Sequence, residues 1–180
     1  MAARRCASVV IAATVLAVAA AVGVFALGAE EAGARGTATA RTCGGGSIDL
    51  KANEKRALQL HNRAREQRKL KPLCVHPALQ KAARAHSATM IKKDRFFHGS
   101  VGKRLKRHGY RWETYGENIA GGYGRLGTPE SAFKRWMNSR AHKRNILRKG
   151  FREVGIGAAS GTFKGNRGYT MYTADFGTRR

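Results

Sequence analysis

Three short segments of the sequence each carry a polar side chain that could bind a metal or transfer a proton. The segments and their candidate residues are FFHGS at 96–100 with His98, YGENIAGG at 115–122 with Glu117, and WMNSRAHKRNIL at 136–147 with His142. Two imidazoles and a carboxylate are ligands that a divalent transition metal such as zinc accepts. The same groups could transfer protons without a metal, because histidine titrates near neutral pH. The residue types therefore leave a metal site and an acid–base site both open.

The first 29 residues predict export from the cytoplasm. A short basic start containing Arg4 and Arg5 precedes residues 6–29, which carry no charge and are almost wholly apolar. This pattern is typical of a signal peptide, and the apolar run is also long enough to cross a bilayer. A cleaved signal and an N-terminal transmembrane anchor both fit. In either case the protein is secreted, or is anchored with its domain outside the cytoplasmic membrane.

A flexible linker is predicted between this segment and a single domain. Residues 30–47 are rich in Gly, Ala and Thr, which favours a tether, and residues 48–180 have a globular pattern. Two cysteines, Cys43 and Cys74, lie in the exported part, where an oxidising environment favours a disulfide between them. Two unrelated thiols are the alternative.

The net charge of +24 predicts attraction to polyanions. Beyond residue 29 the chain carries 33 basic and 11 acidic residues, or +22. No nucleic-acid fold signature accompanies the charge, so specific nucleic-acid binding is not expected. The expected partners are anionic cell-envelope polymers or a membrane surface, with a lipid or a glycan as a candidate ligand.

The hydrophobic periodicity predicts helices followed by strands. A first helix is expected over 49–69 with Asp49 as its cap, a second from Pro77 to near Lys93, and a short one over 100–108. A later helix has Thr128 as its cap, breaks at 138–139, and is followed by a turn of helix that carries His142. Alternation in the last thirty residues predicts a hairpin with its turn at 161–168, and 113–120 is expected to add a strand beside it. The prediction is an α+β domain, a three-layer α-β-α sandwich with a small, mainly antiparallel sheet.

Seven segments, in this order, resemble the CAP superfamily of cysteine-rich secretory proteins, antigen 5 and pathogenesis-related proteins, and most of all its bacterial SCP-like branch. The segments are LHNRAR (60–65), HPALQKAARAHSATM (76–90), FFHGS, GENIA, WMNSRAHKRNIL, FREVGIG (151–157) and YTADFG (172–177). The resemblance covers about residues 50–178. It implies the α-β-α sandwich, an extracellular or envelope location and a central cleft.

The resemblance also implies which residues line that cleft. Family members often present two histidines and two acids there, and His98, Glu117 and His142 match three of the four. The second acid should fall three residues after Trp136, where this chain has Ser139. The loss of that carboxylate argues against tight zinc binding. Asp175 or Glu153 could replace it.

The remaining histidines and aromatic residues are interpreted as structural. His61 and His86 fall on helix faces that are expected to be buried, whereas His76 and His108 are expected to be exposed. Four aromatic residues are expected to surround the cleft and to anchor loops or to line a lipid or glycan groove: Tyr110, Trp112, Tyr115 and Tyr123.

Two classes of function follow. The first is a non-catalytic extracellular or envelope binding module with a His/Glu cleft and a strongly basic surface. The second is a metal-assisted hydrolase or peptidase in which zinc on His98 and His142 activates water and Glu117 is a ligand or base. The missing second acid and the absence of an HExxH or nucleophile-triad motif favour the binding module.

Overall fold

The computed structural model describes residues 37–179, so the predicted export segment at 1–29 lies outside the described residues. The elements in chain order are β1 (Thr37–Arg41), β2 (Ser47–Lys51), α1 (Ala52–Glu66), β3 (Cys74–Val75), α2 (Pro77–Lys92), α3 (Val101–Arg107), β4 (Trp112–Gly122), α4 (Pro129–Asn138), α5 (Arg140–Leu147), β5 (Glu153–Phe163) and β6 (Asn166–Arg179). None of the helices in this part of the chain is long and apolar enough to cross a bilayer.

A four-stranded sheet forms the middle layer of the domain. Its strand order is β3-β5-β6-β4, with β3 parallel to β5 and the other pairs antiparallel, so β4 is an edge strand. Helix α2 packs against β5 and β6, while residues of α1, α4 and α5 join the buried cluster on the opposite face. The predicted α-β-α sandwich with a mainly antiparallel sheet is confirmed.

The alternation in β5 explains why the layers fit together. Val154 and Ile156 enter the cluster shared with α1, α4 and α5. Gly155 and Gly157 face the other way, where an added Cβ would collide with the backbone of α2. Glycine at these positions therefore lets the helix backbone rest directly on the sheet. The predicted hairpin is confirmed, but its turn is tighter than 161–168, because the two strands extend to Phe163 and from Asn166.

The helix boundaries follow local capping signals. Helix α2 begins at Pro77, and the Oγ1 of Thr128 accepts a hydrogen bond of 3.2 Å from the N–H of Ser131 at the start of α4. The predicted break between α4 and α5 falls at Ser139. Ser139 precedes the first residue of α5, but its side chain makes no capping hydrogen bond.

The first helix begins later than predicted, and part of the predicted tether is a strand. Asp49 lies in β2 rather than at a helix cap, and β2 pairs with β1, which falls within the segment expected to be flexible. The helix starts after Lys51, whose N–H donates a 2.9 Å hydrogen bond to the carboxylate of Glu54. An acid at the third helical position satisfies a free N–H at the helix start, and this signal marks the true boundary.

A disulfide joins Cys43, between β1 and β2, to Cys74 in β3. The two residues are 31 positions apart in the sequence. The bond ties the β1–β2 hairpin to the end of the main sheet, and the predicted pairing of Cys43 with Cys74 is present.

Replacing both cysteines with serine should lower the free energy of unfolding by about 3–4 kcal/mol, because the bond restricts a closed loop of this length in the unfolded chain. Urea denaturation of the exported protein measures the change. Wild-type protein unfolded in the presence of a reductant is the control and should match the double variant. Equal stability of the oxidised wild type and the double variant would contradict the prediction.

Candidate functional site

Glu117 lies at the centre of a buried ionic cluster beside the edge strand β4. Its side chain is only 2 % exposed, and three side chains converge on its carboxylate. The Nδ1 of His98 lies 2.7 Å from Oε1, the guanidinium of Arg104 contacts Oε2, and the Nε2 of His86 lies 3.8 Å from Oε2. His98 and Glu117 were predicted to share a site, whereas Arg104 and His86 were not predicted to belong to it.

A second carboxyl group, that of Asp175, lies beside Glu117. The two residues are opposite each other in the β4–β6 register, and Asp175 is completely buried. The nearest guanidinium nitrogen of Arg104 is 3.6 Å from Oδ1 of Asp175. Within residues 37–179, no group makes a hydrogen bond to either carboxyl oxygen of Asp175. Asp175 is thus the acid that adjoins Glu117. The other substitute suggested by the sequence, Glu153, instead binds Tyr110 and Arg179.

Burial raises the pKa values of both acids. The pKa of Glu117 rises to about 7 because its carboxylate is desolvated, although the charge of Arg104 opposes the rise. The pKa of Asp175 is raised well above its usual value, first by burial and then by the neighbouring Glu117. Two adjacent buried carboxyls cannot both ionise easily, so the pair holds a proton near neutral pH and Arg104 balances the remaining negative charge.

The two histidines of this cluster are neutral at pH 7. His86 donates a 2.8 Å hydrogen bond from Nε2 to the carbonyl of Phe97, and burial followed by the charge of Arg104 lowers its pKa to about 4. The same two causes lower the pKa of His98, although its side chain is 51 % exposed. The interpretation of His86 as a hydrogen-bonded core histidine is confirmed, and His61 is likewise buried and bonded to the carbonyl of Ala57.

Helix α5, which carries His142, is held in place by a buried arginine. Arg65 from α1 donates hydrogen bonds of 2.8 Å to the carbonyl of Ile146 and 2.9 Å to the carbonyl of Phe151. Its guanidinium thereby satisfies carbonyls at and beyond the helix end. The arginine that ends the LHNRAR segment therefore positions one wall of the site.

Two asparagines connect α5 to the edge strand. The Nδ2 of Asn118 donates a 3.0 Å hydrogen bond to the carbonyl of His142. The Nδ2 of Asn145 donates a 2.9 Å hydrogen bond to the Oδ1 of Asn118. These bonds fix where His142 lies along β4. Burial and the charge of His98 lower the pKa of His142.

A cavity of about 350 Å³ opens beside this cluster. Most of the cavity wall is apolar, but His142 and Ser139 also lie in it. The residues that line the cavity are Phe96, Ile119, Ala120, Gly121, Arg135, Trp136, Ser139, His142 and Tyr169. His98 and Glu117 are not among them. The structure therefore divides the candidate residues between a buried ionic cluster with His98 and Glu117 and an apolar cavity with His142 and Ser139.

The arrangement of the donors does not fit a zinc site. Over residues 37–179, no three His, Cys, Asp or Glu side chains are grouped so that they could hold a metal ion. Arg104 contacts Oε2 of Glu117 and His98 lies against Oε1, and the positive charge of Arg104 would repel a divalent cation. The metal set His98, Glu117 and His142 thus finds no support in this geometry.

None of the four aromatic residues expected around the cleft lines the cavity. Tyr110 is buried and donates a 2.7 Å hydrogen bond to Glu153. Trp112 and Tyr115 pack against each other beside α3, and Tyr123 lies near Tyr169. The aromatic side chains in the cavity wall are instead Phe96, Trp136 and Tyr169. His76 also differs from expectation, because it is half-buried and its Nδ1 accepts a hydrogen bond from the N–H of Ala78.

Comparisons with known proteins agree with this fold. The chain is 41 % identical over 113 residues to YkwD of Bacillus subtilis (strain 168), a match that covers 60 % of this chain and 43 % of YkwD. An extracellular protein of Bacillus anthracis containing an SCP domain matches with 27 % identity and a TM-score of 0.60, over 71 % of this chain and 40 % of that one. An outer surface protein of Borrelia burgdorferi matches with 19 % identity and a TM-score of 0.62, over 74 % of this chain and 97 % of that one, which shows the shared fold.

The chain therefore spans less than half of the length of YkwD and of the Bacillus anthracis protein. A family model described as the cysteine-rich secretory protein family, CAP, matches residues 58–176. This match takes in most of the described residues, including α2, the ionic cluster and the cavity wall. The chain belongs to the cysteine-rich secretory protein (CAP) family.

Proposed function

We propose that this protein is a non-catalytic binding module that works outside the cytoplasmic membrane and holds a small amphipathic ligand in the cavity beside β4. The observation that carries the proposal is the cavity itself, whose apolar wall has polar groups at Ser139 and His142. Small-molecule sites typically combine a mainly apolar wall with a few polar groups that orient the ligand. An acyl chain with a polar head group matches this lining better than a sugar, because a sugar needs hydrogen-bonding partners around its ring.

The ionic cluster supports binding rather than hydrolysis. Arg104 neutralises Glu117, so this carboxylate is not free to act as a base on a water molecule. The Nε2 of His86 donates a hydrogen bond to the carbonyl of Phe97 and the Nδ1 of His98 lies 2.7 Å from Glu117, so both imidazoles are engaged within the protein. The cluster supports the edge of the cavity, since Asn145 joins the carbonyl of Glu117 to α5 by a 3.3 Å hydrogen bond.

The location outside the membrane is supported by the uncharged apolar segment at 6–29 and by the matched proteins, of which one is described as extracellular and one as an outer surface protein. The net charge of +22 beyond residue 29 would retain the protein at anionic polymers of the cell envelope.

Replacing Phe96 with Ala should weaken ligand binding about tenfold, because a lost aromatic contact of this size removes a large part of the apolar area that the ligand buries. The side chain of Phe96 is 49 % exposed, so the fold should tolerate the change. Titration of the exported protein with the fluorescent fatty acid 11-dansylaminoundecanoate measures the affinity.

Leu126 provides the matched control, because it is a large apolar residue that is 56 % exposed and does not line the cavity. Leu126→Ala should keep the affinity within about twofold of the wild type. Equal effects of the two variants, or no binding by the wild type, would contradict the cavity as a ligand site.

A further inference from the structure

A second candidate binding surface lies on α3 and the start of β4, and its residues do not line the cavity. We name it the Trp112 surface. The Trp112 ring packs edge to face on Tyr115, with a distance of 4.6 Å between the ring centroids. Tyr115 is 39 % exposed and Trp112 is half-buried. The ammonium of Lys106 lies 5.1 Å from the centre of the Trp112 ring. Exposed aromatic rings beside a cation are a typical feature of recognition surfaces.

The two rings are held rigidly. The indole N–H of Trp112 donates a 3.1 Å hydrogen bond to the carbonyl of Gly102, and the indole packs against the buried cluster that contains Leu79 and Leu105. A Cβ on Gly102 would lie only 3.0 Å from Trp112 and 3.1 Å from Tyr115, so the absence of a side chain there lets both rings lie against α3. Little conformational entropy would be lost when a ligand stacks on rings that are already fixed.

Two concave spaces meet at Trp112. One measures about 370 Å³ and includes Lys103, Lys106 and Tyr115 in its lining, and the other measures about 700 Å³ and includes Lys106 and Arg111. Among the described residues that line either space there is no carboxylate. Glu113 is exposed in the same strand but lines neither space. The Trp112 surface, comprising Lys103, Lys106, Arg111, Trp112 and Tyr115, is therefore aromatic, basic and concave.

We infer that the Trp112 surface binds an anionic glycan, with sugar rings against the aromatic side chains and acidic groups paired with Lys103, Lys106 and Arg111. The inference rests on the proposed retention at envelope polymers and gives that retention a location. Two adjacent spaces on either side of one aromatic ring suit consecutive sugars of a polymer. Complementary charge would increase the rate at which such a polymer is captured.

The double variant Lys103→Glu/Lys106→Glu tests the location. Both residues are exposed and lie three positions apart on α3, so reversing their charge should leave the core intact. The matched control is Lys92→Glu/Lys93→Glu, which makes the same change in net charge at exposed positions at the end of α2. Affinity for polygalacturonate oligomers, measured by calorimetry at physiological salt, should fall about tenfold or more in the first variant and about twofold in the control.

Two further measurements identify the ligand class. Acrylamide quenching reports on Trp112, because the other tryptophan, Trp136, is 1 % exposed. Saturating polygalacturonate should protect the fluorescence from quenching. Inorganic polyphosphate and oligo(dT) carry similar charge density but no sugar acid, so each should bind at least about tenfold more weakly than polygalacturonate.

The outcomes separate the failure of this inference from the failure of the proposed function. Equal losses in both double variants would leave charge-driven retention standing but overturn the Trp112 surface as its location. Tightest binding to oligo(dT) or to polyphosphate would overturn the glycan assignment. No binding to any polyanion would overturn both the Trp112 surface and the proposed retention, while the fatty-acid titration would still decide the cavity.

Discussion

Replacing Arg104 with Met is expected to lower the free energy of unfolding by about 3–5 kcal/mol at pH 8, because it leaves a buried carboxylate without its counter-charge. Arg104 is 12 % exposed and contacts Glu117, with Asp175 3.6 Å away. In the wild type the pKa of His98 is lowered by burial and then by the charge of Arg104, so at this pH the guanidinium is the positive charge beside the two carboxyls. The variant also loses the 3.0 Å hydrogen bond from Arg104 to the carbonyl of His98.

The penalty should shrink at pH 5. The pKa of Glu117 is already raised to about 7 and that of Asp175 is also raised, and both would rise further without the guanidinium. At pH 5 both acids can therefore be protonated in the folded variant, which removes most of the uncompensated charge. Urea denaturation at the two pH values measures the difference.

The neighbouring Arg107→Met is the control, because this side chain is exposed on the same helix and its loss should change stability by no more than about 0.5 kcal/mol. If Arg104→Met cost no more than Arg107→Met at pH 8, the cluster would not depend on this guanidinium.

The layered fold and two residues of the ionic cluster could be predicted from the sequence. Strand alternation predicted the hairpin, and the helix-start residues Pro77 and Thr128 predicted where α2 and α4 begin. These patterns depend only on residues that are neighbours in the sequence. The segment FFHGS and the segment GENIA indicated His98 and Glu117, which the structure places 2.7 Å apart.

Arg104 was not predicted because nothing local distinguishes it. It lies in KRLKR at 103–107, where four of five residues are cationic. Which of them turns inward depends on how α3 rests on β4, and that contact is set by burial of Leu105 and by the close approach of the rings at Gly102. Long-range packing of this kind leaves no mark in the spacing of charges.

The sequence suggested Asp175 and Glu153 equally as the second acid, because the alternation in β6 does not show what covers each face of the strand. Tyr172, Ala174 and Phe176 form one face, and Met171, Thr173 and Asp175 form the second. In the structure α2 covers that second face, so Met171 through Gly177 are all buried. A strand buried on both faces does not show simple alternation, and a polar residue within it signals a buried interaction.

Asp175→Asn should stabilise the protein at pH 8 by about 1–3 kcal/mol, because the amide stays neutral where a buried, unsatisfied carboxylate is costly. The variant keeps the shape of the side chain and places an amide N–H donor opposite Glu117 in the β4–β6 register. The free energy of unfolding of both proteins should be compared from pH 4 to pH 8.

The sign of the pH dependence follows from the raised pKa of Asp175. The folded state keeps this proton to a higher pH than the unfolded state, in which an aspartate titrates near pH 4. The stability that the protonated acid provides is therefore complete below about pH 4 and is lost as the pH rises toward the folded pKa. The two proteins should be about equally stable at pH 4 and should differ increasingly above it.

Two buried histidines also make the stability depend on pH, so the wild-type profile must be compared with that of Asp175→Asn. The pKa values of His61 and His86 are lowered to about 4 by burial, so both increase the stability of the folded state as the pH rises from 4 toward 6.5. This gain opposes the loss from Asp175 in the wild type and hides it. Both histidines remain in Asp175→Asn, so subtracting the two profiles removes most of their contribution and leaves the titration of the coupled Glu117–Asp175 pair. A difference that stays constant from pH 4 to pH 8 would show that Asp175 is ionised and compensated in the folded protein, and that the shared proton assigned to the Glu117–Asp175 pair is absent.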